Sequence, residues 1–464
     1  MLTRLARSLS AAVLVLSASA PAAAILVLSA PAPAAAQVYE DARGDMTFAL
    51  AGDAIITRAM RPFREPEFLR LRELIQNATV AFVNMEILFH DYEDDVIPQA
   101  ASGGTYMRAD PRMAKELAWL GFDIAGMANN HTMDFGPGGA RRTKKYAEAA
   151  GITVAGFGEN LALARAPAYL ETPGGRVALV SIASTFSDAM RAGDQRSDMR
   201  GRPGLSPMRH ETTVTLTPRE MEGLKAAVSE WRPGAVRGET VAMPGVRFVQ
   251  GATPGRTSSA NPGDLAEVVE SVREGKRQAD WVILSSHRHE GAESREMPAD
   301  FIVEVAHDAI DAGANMFVGH GPHVLRGIEI YKGAPIFYSL ANFIFQNETV
   351  ELQPADNYEA QGLGDRDRPG QFQDARIVQM RGGFPKDPAY WESVLATTKY
   401  EDGALTEVRL YPIVLGHGLP RAVRGRPLLA GADDARRILE HLAELSAPFG
   451  TTIAIEDGVG VIRP

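Results

Sequence analysis

Gly121-Phe-Asp-Ile-Ala-Gly-Met-Ala-Asn-Asn-His131-Thr132 is an apolar run that ends abruptly in two amides and an imidazole. A short buried strand that stops on polar residues delivers them to the carboxyl edge of a sheet, where open α/β folds place their sites. Asn130 offers a carbonyl oxygen and His131 a ring nitrogen, so the pair suits metal ligation or acid–base chemistry. The alternative is a polar turn after a strand, since Asn is common in turns.

The chain on both sides of this run alternates between strand and helix patterns. Met46–Asp53 and Ala78–Glu86 are apolar runs typical of buried strands, and Glu65–Asn77 between them has helical spacing with Pro66 in its first turn. Further strands are predicted at 152–156, 176–183, 280–286 and 315–320. Further helices are predicted at 110–120, at 140–150 after a loop over Asp134–Gly139, and at 300–312. This spacing suits βαβ units, so the sequence predicts an α/β fold with a largely parallel sheet.

Two segments interrupt the alternation. Residues 191–275 are rich in Arg, Gly, Pro and Ser, and we expect an insertion there, partly loop, that lies near the site or over it. Within this insertion a helix is predicted near Pro218–Trp231. Residues 347–388 are polar and are predicted as a flexible loop. A late hairpin around Asp402-Gly403 and a helix over Asp433–Ser446 follow.

The N-terminal residues have the pattern of a signal peptide. Arg4 and Arg7 precede an apolar stretch that Pro21 interrupts, and Pro31–Ala36 supplies an A-x-A cleavage signal. We therefore predict a signal peptide over residues 1–36, one domain over 37–464, and a periplasmic or secreted mature protein. The alternative is an uncleaved N-terminal membrane anchor. No later run is long and apolar enough to span a bilayer.

Composition limits the classes of function. The chain has 464 residues, of which 45% are hydrophobic and 23% charged, and its formal net charge is -10. An acidic chain without a Lys/Arg block is not expected to bind nucleic acid. The chain has no Cys, which excludes disulfides, thiolate metal sites and cysteine nucleophiles.

Polar groups follow the ends of five predicted strands. Five of the ten histidines lie at these ends, together with carboxylates and amides: Asp53; Asn84 and Glu86; Asn130 and His131; His287, His289 and Glu290; His320 and His323. Each of these motifs also has a structural alternative when it is taken singly. Asp53 suits a helix N-cap or a turn, and Glu86 suits a buried carboxyl with its hydrogen bonds satisfied. Gly319-His-Gly-Pro-His323 suits a polar turn whose histidines bond to the backbone. Together, carboxylate, amide and imidazole groups are the ligands that Mn, Fe, Zn or Mg prefer.

An ordered set of motifs resembles a known family. Gly52-Asp53, Asn84-Met-Glu86, Asn129-Asn-His131, His287, Gly319-His-Gly-Pro-His323 and Ser339-Leu-Ala-Asn342-Phe343 occur in the order found in the CapA family of poly-γ-glutamate capsule synthesis proteins. That family is similar in fold to the calcineurin-like metallophosphoesterases. The resemblance covers about residues 47–158, 176–187 and 281–345, and continues weakly through the late hairpin and helix. The whole set is specific, whereas any single motif is not.

The resemblance implies a metallophosphatase-like four-layer αββα sandwich with a site for one or two divalent ions. It implies that His131 donates or accepts a proton beside the metal, and that the ligands are Asp53, Glu86, Asn130, His287, His320 and His323. Five further residues are expected to support these ligands or to contact substrate: Asn84, Asn129, His289, Glu290 and Asn342. His289 and Glu290 are in this group because only alternate residues of a strand face the same way.

Two residues depart from the phosphoesterase pattern. Ile55 stands where those enzymes have a ligand histidine, and Glu86 where they have a bridging aspartate. One metal position therefore has fewer ligands, so the site is expected to hold one ion or to bind two weakly. Phosphatase activity does not follow from the similarity of fold.

Two functions are the main candidates for these patterns, with an anionic polymer or a small molecule as the substrate, and a periplasmic small-molecule binder is a third. The first is an exported metal-dependent hydrolase of cell-envelope or capsule polymers, acting on a γ-glutamyl or other amide, an ester or a phosphoester. The second is a non-hydrolytic accessory protein for poly-γ-glutamate synthesis or export, with the capsule machinery as its partner. For this second function, six arginines are candidates to contact the anionic polymer, and the alternative is that they form a solvated loop face. They are Arg191, Arg196, Arg200, Arg202, Arg209 and Arg288.

Overall fold

The computed structural model describes residues 44–93, 95–379 and 386–464. The predicted signal peptide, residues 1–36, lies outside the described residues. Among the helices of these three ranges, none combines the length and the apolar character needed to cross a bilayer.

The strands that the structure describes are numbered in chain order. They are β1 (Met46–Ile55), β2 (Val80–Asn84), β3 (Leu88–Phe89), β4 (Arg108–Ala109), β5 (Ile124–Gly126), β6 (Thr153–Ala155), β7 (Phe157–Gly158), β8 (Ala168–Thr172), β9 (Gly175–Ala183), β10 (Gly204–Leu205), β11 (His210–Leu216), β12 (Val236–Arg237), β13 (Thr240–Met243), β14 (Val246–Gln250), β15 (Gly255–Ala260), β16 (Trp281–His287), β17 (Met316–His320), β18 (Leu325–Tyr331), β19 (Ala334–Leu340), β20 (Asn342–Phe345), β21 (Glu392–Glu401), β22 (Ala404–Val414), β23 (Leu428–Leu429), β24 (Ala454–Glu456) and β25 (Val459–Ile462).

The α-helices are numbered in the same way. They are α1 (Pro66–Gln76), α2 (Arg112–Leu120), α3 (Gly136–Ala149), α4 (Leu161–Arg165), α5 (Pro218–Trp231), α6 (Pro262–Gln278), α7 (Asp300–Asp311), α8 (Ala355–Ala360), α9 (Pro369–Gln379) and α10 (Ala432–Ser446).

Two mixed sheets form the centre of the fold. The larger has the order β24-β25-β22-β21-β1-β2-β5-β6, with β20 also pairing with β1 and β23 with β22. Its strands β1, β2, β5 and β6 are parallel, and the hairpin β21–β22 joins them antiparallel to β1. The smaller sheet has the order β18-β19-β17-β16-β9-β8, and β9, β16, β17 and β19 are parallel. The predicted parallel strands are thus divided between two sheets.

The two sheets pack face to face because their strands alternate their side chains. In β1, Phe48 and Leu50 lie in the apolar core between the sheets, whereas Ala49 and Ala51 face the helices on the other side. Trp281 of β16 meets Phe48 edge-on across this core, with ring centroids 5.9 Å apart. A strand whose two faces are both buried requires apolar residues at successive positions.

Helices cover the outer face of each sheet. In α1, Pro66 occupies the first turn, and Phe68, Leu71 and Ile75 are buried in one outer core. Helices α2 and α3 also contribute buried side chains to that core. On the opposite side, α6 and α7 pack on the smaller sheet. The four-layer αββα sandwich implied by the resemblance is therefore confirmed.

The segment predicted as an insertion contains a sheet of its own. Strands β11 to β15 pair in the order β12-β13-β14-β11-β15, and α5 packs against them through Met221 and Val228. The predicted helix over Pro218–Trp231 is confirmed, and Thr217 and Glu220 form its capping box. The strands were missed because β11 is rich in Thr and lacks a clear apolar alternation. The segment ends in α6, whose Val268 and Val272 belong to the outer core of the smaller sheet.

The late part of the chain also differs in one respect from the sequence-based prediction. Within the segment expected to be a flexible loop, residues 347–388, the structure has the helices α8 and α9, and α9 buries Phe372. The late hairpin is confirmed, with Asp402 and Gly403 both at positive φ (49° and 78°). Helix α10 closes one end of the core between the sheets with Ile438, Leu439 and Leu442.

Gly52 is expected to be irreplaceable. A Cβ at this position would lie 1.9 Å from the backbone oxygen of Ala341, which also accepts a hydrogen bond from the N–H of Asp53. Because that oxygen belongs to the backbone, Gly52→Ala should lower the free energy of unfolding by about 1–3 kcal/mol or more, measured by urea denaturation.

Gly223 offers the matched control for Gly52. It lies inside α5, and a Cβ there would meet nothing within 4 Å. Gly223→Ala should therefore raise the free energy of unfolding by roughly 0.5–1 kcal/mol. A wild-type urea midpoint for Gly52→Ala would contradict the close approach of β1 to Ala341.

Candidate metal centre

The polar ends of strands from both sheets meet at one edge of the sandwich. The side chains of Asp53, Glu86, His287 and His320 are fully buried, and His323 is the most accessible, at 18%. Three overlapping groups have candidate ligand atoms that all lie within 4.8 Å of one another: Asp53, His287 and His320; Glu86, His287 and His289; and Asp53, Glu86 and His323. The site therefore draws its ligand atoms from both sheets.

Asp53, in the C-terminal half of β1, is the anion at the centre of the cluster. Its Oδ1 lies 3.5 Å from Nδ1 of His287 and 3.4 Å from Nδ1 of His320. Its Oδ2 lies 3.4 Å from Nδ1 of His323 and accepts a hydrogen bond of 2.9 Å from the N–H of Gly321. Burial by itself raises the pKa of this carboxyl, but the imidazoles of His287 and His323 hold the pKa well below its usual value.

Glu86 faces the same imidazoles from the larger sheet. Its Oε1 lies 3.7 Å from Nε2 of both His287 and His323, yet neither carboxyl oxygen has a hydrogen-bond partner. Burial, with the added charges of Asp53 and Asp134, raises the pKa of Glu86 well above its usual value. A buried carboxyl with two unpartnered oxygens is costly on its own, so Glu86 suits a site in which a cation would compensate its charge.

The imidazoles themselves are in the form that binds metals. Burial lowers the pKa of His287, His289 and His320, so these rings are neutral at physiological pH. Nε2 of His287 lies 3.2 Å from Nε2 of His289, and Nδ1 of His287 lies 3.0 Å from Nδ1 of His320. Nitrogens brought this close suit a shared cation. His289, which the sequence analysis placed among the supporting residues, is therefore one of the candidate ligands.

Two hydrogen bonds orient the rings contributed by the Gly319–His323 turn. Nε2 of His320 lies 2.9 Å from the hydroxyl of Ser285, and Nδ1 of His323 lies 2.8 Å from the side-chain oxygen of Asn342. Such partners fix the orientation of a ligating ring. Ser285 was missed from the sequence, although it precedes His287 by two positions in β16 and so shares its face.

The asparagines hold the polar ends of β2 and β5 in place. Asn84 donates from Nδ2 to Oδ1 of Asp53 over 2.8 Å, and its own oxygen has no partner. Asn129 donates to the backbone oxygen of Met85 over 2.8 Å and accepts a hydrogen bond of 3.0 Å from the N–H of His131, which fits the expected supporting role. The side-chain oxygen of Asn130 is buried without a partner, so it remains available to a cation.

His131 forms a dyad with Asp134 that the sequence analysis missed. Nδ1 of His131 lies 2.7 Å from Oδ2 of Asp134, and Nε2 of His131 lies 3.9 Å from Oε1 of Glu86. Asp134 is itself fixed by the backbone N–H groups of Gly103 and Met107, at 3.0 and 2.9 Å. Because a carboxylate only accepts hydrogen bonds, the proton of a neutral His131 lies on Nδ1 and its Nε2 faces the cluster. The sequence signal for this dyad is that Asp134 follows His131 by three positions. It was not used because Asp134 was assigned to a loop.

Two other residues considered in the sequence analysis, Glu290 and Ile55, are not part of the candidate ligand groups. The carboxylate of Glu290 accepts hydrogen bonds from Ser184 and Thr185, at 2.7 and 2.9 Å, and is in none of the candidate ligand groups. The hydroxyl of Thr185 also accepts the N–H of His289, so Glu290 acts on the cluster only through this loop. Ile55 is buried in the apolar core on the helix side of the larger sheet, as its departure from the phosphoesterase pattern implies.

The αββα sandwich, with a buried carboxylate–imidazole cluster at the edge of its sheets, is a metallophosphatase-like fold. Residues 42–347 match the family described as bacterial capsule synthesis protein PGA_cap, and the chain belongs to this family. The resemblance to CapA proteins is thereby confirmed.

Relatives extend the similarity over most of the chain. An uncharacterized protein of Sinorhizobium fredii, y4uA, is 41% identical over 90% of this chain and 93% of its own length. The capsule biosynthesis protein CapA of Bacillus anthracis is 25% identical over 65% of this chain and 60% of its own. A probable polyglutamine synthesis accessory protein of Mycobacterium tuberculosis is 28% identical over 52% of this chain and 50% of its own.

We expect His320→Ala and His323→Ala to lose a bound divalent ion, because each removes a nitrogen from a candidate ligand group. Ser285→Ala should weaken binding by roughly 10–100-fold, since it frees the ring of His320. The measurement is the metal content by mass spectrometry after loading with Mn or Zn and dialysis.

His307→Ala is the matched control for these variants. His307 lies outside the cluster and contacts Glu329 at 3.0 Å, so its loss should leave the metal content unchanged. Equal metal content in the His307, His320 and His323 variants would show that the cluster does not hold the ion.

Proposed function

We propose that this protein is an exported, divalent-metal-dependent hydrolase that acts on a γ-glutamyl amide or a (phospho)ester in poly-γ-glutamate capsule metabolism. The observation that carries the proposal is the His131–Asp134 dyad, with Nε2 of His131 at the rim of the buried ligand cluster, 3.9 Å from Glu86. A cluster that only braces the fold does not require an oriented acid–base group beside it.

The residues divide the chemistry between them. Asp53, Glu86, Asn130, His287, His289, His320 and His323 would hold one or two ions, with Mn, Fe, Zn and Mg as the candidates. When bound, such an ion polarises a carbonyl or phosphoryl oxygen and makes water more acidic. His131 accepts or donates a proton at Nε2, while Asp134 holds the ring in one tautomer and orientation and stabilises its charged form. Burial of the cluster excludes bulk water and strengthens these electrostatic interactions.

The family and the access to the site support this substrate class. The CapA proteins of this family are named for capsule and poly-γ-glutamate biosynthesis, and their polymer offers amide bonds flanked by carboxylates. The side chain of His323 is 18% exposed, and its ring packs near Tyr390 and Phe345. We expect an extended chain or its terminus to approach the cluster from that side.

The second candidate is a non-hydrolytic accessory role, as in the name of the mycobacterial relative. The near-complete burial of the cluster favours it, since a bound ion would then brace the two sheets. The arginines considered for polymer binding give it little support. Arg191, Arg196 and Arg209 pair with aspartates, and Arg288 is buried.

His131→Ala should lower turnover by roughly 10²–10⁴-fold and leave the metal content unchanged, because the ring acts on protons. Asp134→Asn should also lower kcat at unchanged metal content, because an amide can no longer hold the Nδ1–H tautomer. The measurements are steady-state kinetics and metal analysis, with the thermal midpoint as a check on folding. Full activity in His131→Ala would remove His131 from the mechanism.

A single substrate screen distinguishes the two candidate functions. The metal-loaded protein is offered γ-glutamyl amides, carboxylic esters and p-nitrophenyl phosphates, and the metal-free protein serves as the control. We expect metal-dependent cleavage in one of these classes. Bound metal without cleavage of any of them, together with retention on immobilised poly-γ-glutamate, would favour the accessory role.

A further inference from the structure

The loop over residues 99–107 packs directly against the ring of His131. A Cβ added to Gly103 would lie 2.7 Å from Cε1 of His131 and 2.7 Å from Nδ2 of Asn130, so the backbone of this loop lies against both side chains. The N–H groups of Gly103 and Met107 are also the donors that hold the two carboxylate oxygens of Asp134. The position of loop 99–107 therefore sets the position of the His131–Asp134 dyad.

Two side-chain amides from a distant part of the chain hold this loop. Gln353, which is 247 positions after Tyr106, accepts the N–H of Tyr106 at Oε1 over 2.9 Å and donates from Nε2 to the backbone oxygen of Tyr106 over 2.9 Å. Asn357, in α8, donates to the backbone oxygen of Gly104 over 3.2 Å and to Oε1 of Gln353 over 2.8 Å. Gln353 and Asn357 thus fasten loop 99–107 by its backbone.

These amide contacts lie outside the hydrophobic core. Helix α8 buries none of its residues, and the side chains of Gln353 and Asn357 are only partly buried. Both residues also lie beyond 42–347, the part of the chain that matches the family. Loss of these contacts should therefore leave the core of the protein intact.

A single peptide group links Gln353 to the dyad. Nε2 of Gln353 donates to the oxygen of the peptide bond between Tyr106 and Met107, and the N–H of that same peptide bond donates to Oδ2 of Asp134 over 2.9 Å. The same Oδ2 lies 2.7 Å from Nδ1 of His131. Hydrogen bonds in a chain polarise one another, so each bond strengthens the next. This chain of bonds ends on the ring nitrogen that the dyad keeps protonated.

We propose that Gln353 is a positioning residue for the His131–Asp134 dyad and acts through the peptide group between Tyr106 and Met107. This role rests on the proposed function, in which His131 moves protons at Nε2. Without the amide of Gln353, the N–H of Met107 is no longer held toward Asp134, and loop 99–107 is free to move away from the ring. The ring of His131 then samples other orientations, and its Nδ1–H exchanges faster with water.

The test uses three substitutions in the full protein. Gln353→Ala removes both bonds to Tyr106, whereas Gln353→Glu keeps an acceptor for the N–H of Tyr106 and loses the donor that reaches the peptide oxygen. Gln371→Ala is the matched control, because Gln371 is exposed on α9 and its amide donates within its own segment, to Asp367 over 2.9 Å. The Nδ1–H proton of His131 is followed by NMR with ¹⁵N-labelled histidine and is assigned as the signal that His131→Ala lacks.

We expect the wild type and Gln371→Ala to show the same slowly exchanging proton, and both Gln353 variants to exchange it faster at a thermal midpoint close to that of the wild type. In both Gln353 variants kcat should fall by roughly 2–10-fold, the effect of one hydrogen bond, at unchanged KM and metal content. If no substrate is cleaved, the proposed function fails and the proton signal alone decides the positioning role. A wild-type exchange rate or a wild-type kcat in Gln353→Ala would overturn the proposal.

Discussion

The meeting of Asp53 with three imidazoles from the opposite sheet is the contact on which the site depends. Asp53 comes from the larger sheet, while His287 and His320 end strands of the smaller sheet and His323 follows in the adjoining turn. A carboxylate without these partners would be protonated or excluded from an interior of this kind. The apolar core between the sheets sets their separation, and the polar cluster at its edge occupies the place where β1, β16 and β17 end. The same packing that stabilises the fold therefore places the ligand atoms.

Much of the fold could be inferred from local patterns because its central strands are buried on both faces. Apolar runs that stop on Asp, Asn or His mark strand ends, and the helices between them have regular spacing and clear stop signals such as Gly121, at φ 113°. Periodicity could not show that the strands divide between two sheets, because a doubly buried strand looks the same in either arrangement. That division came from the family resemblance. The Thr-rich strands of the inserted sheet and helices α8 and α9 lack such signals.

The residues of the candidate site could be inferred from the sequence, but the contacts between them could not. The sequence indicated which strand ends carry ligand groups, and the structure brings Asp53, Glu86, His287, His320 and His323 together. It could not show that His289 turns toward Glu86 or that Ser285 supports His320. Asp134 escaped notice because a loop aspartate three residues after a histidine is common, and only the backbone donors of Gly103 and Met107 identify it as fixed.

The cluster joins parts of the chain that are far apart in sequence. The hydrogen bond between the N–H of Gly321 and the carboxylate of Asp53 spans 268 residues. Contacts of such long range form late in folding, because the entropy of closing a long loop opposes them. A nascent chain that ends before β17 cannot assemble the candidate ligand set. An ion bound at this cluster would therefore be drawn from the compartment in which the polypeptide completes its folding, so the metal supply of that compartment, as much as the ligand chemistry, would select the ion.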